Sequence, residues 1–142
     1  MNVKLIKAIF LCSAFLTVSC SNYQFQGKSI SAANYCDLPL LEGDTVVVST
    51  YYSGIEEYWG LYSKACDLKA ELNIDSMHIH NQQAIEILND VHSEYFKYQL
   101  KVKALGYYRS SEEGAGHLGH NDGDFFVIEF LKLNKVKNEI GQ

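Results

Sequence analysis

Arginine is almost missing from this 142-residue chain: Arg109 stands alone among 12 basic residues. Most of the lysines are scattered, and only Lys132, Lys135 and Lys137 fall close together, at the tail, where a solvated end is the ordinary reading. Nucleic-acid binders neutralise phosphates with clustered Lys and Arg, so that class is disfavoured. No segment beyond the N-terminus is apolar enough to span a bilayer as a helix, which takes roughly 20 apolar residues. Repeats and low-complexity tracts are absent, and so are a nucleophile elbow and a phosphate-cradling glycine loop. Glu56 with Glu57, and Glu112 with Glu113, are adjacent carboxylates. On a strand such neighbours point to opposite faces and make no acid/base pair. These absences point away from an enzyme, and no cofactor is implied.

What is present begins with an address. Lys4 and Lys7 precede an apolar run from Ala8 to Val18. That is the order of a secretory signal peptide, expected over residues 1–19. Leu16-Thr17-Val18-Ser19-Cys20 resembles a bacterial lipobox, in which cleavage before a cysteine leaves that cysteine lipidated. Ser21 after it resembles the pattern sent to the outer membrane, on its periplasmic side. An ordinary signal peptide, cut nearby after small residues, is the other reading, and it leaves the protein soluble in the periplasm or secreted. Cysteine chemistry favours the first. Of four cysteines, Cys12 departs with the signal, and Cys36 and Cys66 form an even pair in an oxidising compartment. They are expected to bridge, closing a loop worth about 3–4 kcal/mol. Lipidation then accounts for the odd Cys20.

Removing residues 1–19 takes away Lys4 and Lys7 and no acid, leaving 10 basic against 17 acidic residues, a net charge of −7. A cationic partner is electrostatically favoured.

Residues 20–34 are polar and read as a tether, 35–137 as one domain and 138–142 as a tail. β-Branched Thr45, Thr50 and the Val46-Val47-Val48 run make a strand of 44–52. Ser53-Gly54 gives a hairpin turn signal. Residues 55–62 follow as a strand, with Ile55, Trp59 and Leu61 on one face and Glu56, Tyr58 and Tyr62 on the other. Leu68, Ala70, Leu72 and Ile74 alternate with polar residues in a third strand. Asn81 is a good N-cap for a helix over 82–96, where apolar residues recur at helical spacing and His92 sits at the core edge. Strands are expected over 98–108 and 125–133, separated by a glycine-rich loop at 114–123.

The order β-β-β-α-β-β is that of a five-stranded OB-like Greek-key barrel with one helix between strands three and four, mainly β in an α+β sense. "DTVVVSTYY", "LKVKALGYY" and "GHLGHNDGDFFVIEFLKL", with the cysteine after the second strand, resemble a group of small exported bacterial proteins with an OB-like domain, of largely unknown function. The resemblance spans about residues 36–136 and implies a fold, not an activity. Thr50 stands where that group often has glycine.

Two constellations remain. His78 and His80 share a strand-like face, and His117 and His120 share a loop; together they are a candidate zinc or copper set. His117 as a structural loop residue, with the others exposed, is the plainer account. Asn121-Asp122-Gly123-Asp124 lacks the spacing of a calcium loop and reads as a turn. The tyrosines concentrate on strands one, two and four, and OB barrels bind ligands across strands two and three. Glu56, Tyr58 and Tyr62 are therefore the candidate ligand face, with cross-strand packing as the alternative. The leading expectation is a non-enzymatic, lipid-anchored binding module of the cell envelope, held at the membrane by its anchor and open to a protein partner. A toxin-neutralising immunity protein or inhibitor is the second, and histidine-based metal binding the third.

Overall fold

The computed structural model describes residues 22–75 and 81–138. The protein is mainly β. Eight strands are present among the described residues: β1 (Tyr23–Phe25), β2 (Lys28–Ile30), β3 (Ala32–Ala33), β4 (Val46–Ile55), β5 (Tyr58–Ser63), β6 (Cys66–Asn73), β7 (Tyr98–Ala115) and β8 (Asn121–Lys137). One α-helix, α1 (Gln82–Ser93), joins β6 to β7, and short 3-10 helices occupy Tyr35–Leu41 and His117–Gly119.

β1 and β2 form a separate two-stranded hairpin. The other strands make one sheet in the order β3-β4-β5-β6-β8-β7, in which β4 also pairs antiparallel with β7 from Val46↔Gly106 to Tyr52↔Leu100. β6 and β8 run parallel, from Ala70↔Gly123 to Asn73↔Phe126.

Period-two alternation sets the two faces of the strands. Val46, Val48 and Tyr52 of β4, Trp59 and Leu61 of β5, Ala70 and Leu72 of β6, Leu100, Val102 and Ala104 of β7, and Phe125 and Val127 of β8 meet in a single core. α1 closes one side with Leu88 and Val91, and the 3-10 helix Tyr35–Leu41 adds Tyr35 and Leu38. The Tyr35 hydroxyl is buried and donates to the Leu61 carbonyl at 2.7 Å, which satisfies it there. Cys36 and Cys66 are bridged, with Cα atoms 5.9 Å apart, so the 3-10 helix is stapled to the start of β6.

The structure departs from the expected five strands in several places. Residues 20–34 include three short strands rather than a plain tether, and β3 lies parallel against Val47 and Val48. The first hairpin turns at Glu56-Glu57, with Ile55 paired to Tyr58, rather than at Ser53-Gly54. Gly54 serves packing instead: a Cβ there would lie 2.3 Å from the Tyr58 carbonyl oxygen and 2.8 Å from the Trp59 ring. Moving the turn leaves Ile55 at its corner, 64% exposed, where the core face was expected. α1 ends at Ser93, three residues short of 96. The 114–123 loop shrinks to one 3-10 turn, because β7 extends to Ala115 and β8 begins at Asn121. Asn81 caps α1 as its position predicts, its side chain accepting from the Ala84 N–H at 3.2 Å.

Candidate functional site

The inward set on β4 and β5 leaves Ser53, Tyr58, Gly60 and Tyr62 on the outer face. There a groove of about 980 Å³ runs over the β5–β6 surface, and Ile55, Tyr58, Tyr62, Leu68, Lys69 and His120 are among its lining residues. Glu56 stands at its rim, on the hairpin corner, in the left-handed region at φ 55°. Its carbonyl accepts the Trp59 indole N–H at 2.7 Å, which ties the corner to the core side of β5.

The two candidate tyrosines differ. Tyr58 is 41% exposed. Tyr62 is half-buried, tilted against Tyr51 at 5.7 Å between ring centroids, and its hydroxyl donates to Gln99 Oε1. Tyr62 can therefore offer ring surface, while its hydroxyl is engaged.

Sequence spacing gave no hint that His117 and His120 would meet Tyr58. Both imidazoles pack edge-on to its ring, with centroids 5.0 and 5.3 Å away. His117 Nε2 lies 3.2 Å from Glu57 Oε2, and His120 Nε2 lies 3.3 Å from Lys69 Nζ. The β4–β5 corner and the 3-10 turn after β7 are thus joined through aromatic edges and one carboxylate. Leu118, between the two histidines, is 83% exposed, so Ile55, Tyr58 and Leu118 present apolar surface at this end. Among the described residues no three His, Cys, Asp or Glu side chains gather as a metal ion would require. His78 and His80 lie outside the described residues, as does Cys20.

Asn121 is the residue that sequence reasoning missed. Its sequence context is that of a turn, yet its side chain is buried and its Nδ2 donates to the Trp59 carbonyl at 2.9 Å and to Glu71 Oε2 at 2.7 Å. The floor of the groove, Gly60, is matched to it: a Cβ there would sit 2.6 Å from Asn121 Oδ1. Burial pushes the Glu71 carboxyl above the ordinary carboxylate range, the charge of Asp124 adds to this, and the bond from Asn121 opposes it. This cluster locks the start of β8 to β5 and β6.

On the core side, His92 of α1 packs tilted against Trp59 with centroids 4.2 Å apart, and its Nε2 is 2.9 Å from the Tyr52 hydroxyl. Burial lowers its pKa. His92 belongs to packing at the edge of the core.

No family model matches the chain, and no curated protein or solved structure is found to be similar to it.

Proposed function

We propose that the chain is an exported, non-enzymatic binding module of the cell envelope, built on an OB-like barrel and anchored through lipid on Cys20. The strand order β4-β5-β6-β8-β7, with β7 back against β4, supports the barrel reading. In that reading β4 to β6 are barrel strands one to three, and α1 falls between three and four as in OB-folds. The observation that carries the function is the groove on the outer face of β5 and β6, with the exposed Tyr58 ring and apolar Ile55 and Leu68 among its lining residues. Exposed apolar surface beside a concavity is where ligands and partner proteins bind.

The test is site-specific photocrosslinking in growing cells, with a photoreactive amino acid at Tyr58 or Ser53 and a control at Glu86 on α1. A discrete adduct at 58 and 53, absent at 86, is the expected result. Equal adducts at all three positions, or none, would remove the groove from consideration. The same experiment decides between this reading and an immunity protein or inhibitor. The second reading draws support from Glu56, Glu57, Glu112 and Glu113, all exposed near the ends of the β4–β5 and β7–β8 hairpins. It predicts that the adduct is a cationic secreted protein.

A further inference from the structure

A second outward patch, at the open end of the β7–β8 hairpin, carries three lysines. On β7, Lys101 and Lys103 are exposed between buried Leu100, Val102 and Ala104. Lys103 is directly opposite Lys132 of β8. Like charges facing each other across an antiparallel pair destabilise it. Two residues along a strand is about 7 Å and one strand across is about 5 Å, so the three charges lie within roughly one Debye length and act together. Their neighbours are treated differently. Lys97 pairs with Glu94 at 3.4 Å, and Lys135 lies 3.4 Å from Asp90 and 3.7 Å from Glu94. Among the described residues none gives Lys101, Lys103 or Lys132 an ion pair.

The N-terminal segment arrives beside this face. The Tyr23 hydroxyl donates to Glu129 Oε2 at 2.9 Å. Glu129 is paired with Leu105, two residues along β7 from Lys103 and three along β8 from Lys132. On the β4–β7 pair, Val47 and Leu105 share the outward parity of Lys103, yet they are 3% and 0% exposed and stand outside the main core cluster. β3 pairs with β4 at Val47, on this same corner. Cys20 precedes Tyr23 by three residues, at most about 11 Å of chain.

We infer that the outward β7–β8 surface around Lys101, Lys103 and Lys132 docks against anionic lipid headgroups of the membrane to which the chain is tethered. Headgroup phosphates then supply the counter-charge that the fold withholds from the lysines. In that orientation Tyr58 stays accessible, because it packs against the His117–His120 turn that joins β7 to β8, at the opposite end of that hairpin from Lys101, Lys103 and Lys132. The inference rests on the membrane-anchored reading for its geometry, and its charge argument stands without the lipid. Each lysine near an anionic surface is worth about fivefold in partitioning, so the three together give on the order of a hundredfold.

The experiment is lysine footprinting by mass spectrometry. Protein purified from the envelope with its native N-terminus is mixed with phosphatidylcholine vesicles or with vesicles that also contain phosphatidylglycerol. An amine-reactive ester then modifies it. Labelling of Lys101, Lys103 and Lys132 should slow by about fivefold or more on the anionic vesicles and recover in high salt, while Lys69 and Lys97 label equally on both. Equal labelling of the three on both vesicle types overturns the inference, as does protection only when other envelope proteins are present. The mass of the N-terminal peptide reports lipidation separately. A lipidated protein without protection removes the docking face alone, and protection without lipid removes the anchor alone. As a second measurement, the triple variant Lys101→Gln, Lys103→Gln, Lys132→Gln should lose on the order of a hundredfold in affinity for the anionic vesicles and melt no lower than the wild type. Unchanged affinity would also overturn the proposal.

Discussion

Trp59 is the chain's single tryptophan and reports the register of β5 directly. Its ring is buried at 8% exposure, between Tyr52 and His92, with its N–H satisfied at Glu56. Its emission should be blue-shifted and weakly quenched by iodide; a red-shifted, readily quenched signal would place it in solvent and invert the groove face. Two neighbouring groups give opposite pH dependences. The folded pKa of His92 is depressed below its unfolded value near 6.5, so its contribution is present above that pH and lost as pH falls through the folded value. Glu71 is raised, so its contribution is present below its unfolded value near 4.3 and lost as pH rises through the folded value. Thermal melts across pH 4 to 8 should therefore show His92→Gln flattening the loss below about pH 6.5. Glu71→Gln should raise the midpoint at neutral pH, with the gain vanishing near pH 4. A Glu71→Gln midpoint lower than wild type at neutral pH would mean that the bond from Asn121 outweighs desolvation.

Among the secondary-structure elements, the 3-10 helix Tyr35–Leu41 is the one stapled covalently, to the start of β6. Cys36→Ala should lower stability by about 3 kcal/mol in denaturant titrations, since the bridge closes 30 residues. Loss of well under 1 kcal/mol would mean that Tyr35 and Leu38 hold the helix unaided. The alternation in β5 was readable because Trp59 and Leu61 against Tyr58 and Tyr62 have no other consistent placement. The turn was misplaced for a physical reason: glycine marks both turns and close approaches, and Gly54 is needed for the second. Gly54→Ala should accordingly destabilise by several kcal/mol while leaving the hairpin ends at Glu56-Glu57; a neutral effect would disprove the packing role. β1 to β3 escaped notice because each is only two or three residues long, too short for a period of two to stand out from a polar segment. The cysteine pair was legible by elimination. The meeting of Tyr58 with His117 and His120 was not, since it joins elements about 60 residues apart through tertiary packing alone. Asn121 looked like a turn residue because Asn-Asp-Gly is turn chemistry, and only its burial reveals the other use.

Taken together, the molecule presents two outward faces with different chemistry, an aromatic groove on β5–β6 and a lysine face on β7–β8, and the proposed anchor gives each a direction. Metabolic labelling with an alkyne fatty acid should tag the wild type and leave Cys20→Ala untagged. A wild type that is untagged and wholly soluble in the periplasm would refute the anchor. The strand pairing also constrains the order in which the chain can assemble. β7 and β8 are 18 and 17 residues long and adjacent in sequence, so their hairpin zips from a short connection at little loop-closure cost. The pairing of Val46 with Gly106, and of Ala70 with Gly123 in parallel, must instead close spans of more than 50 residues. A mixed topology of this kind is expected to fold in milliseconds to seconds, and the long hairpin is the expected nucleus. Weakening the stacked Tyr107–Phe126 pair, whose rings lie 5.0 Å apart, should then slow folding. Weakening the β6–β8 seam at Leu72, which pairs with Phe125, should instead mainly speed unfolding, the expected signature of a pairing made after the nucleus.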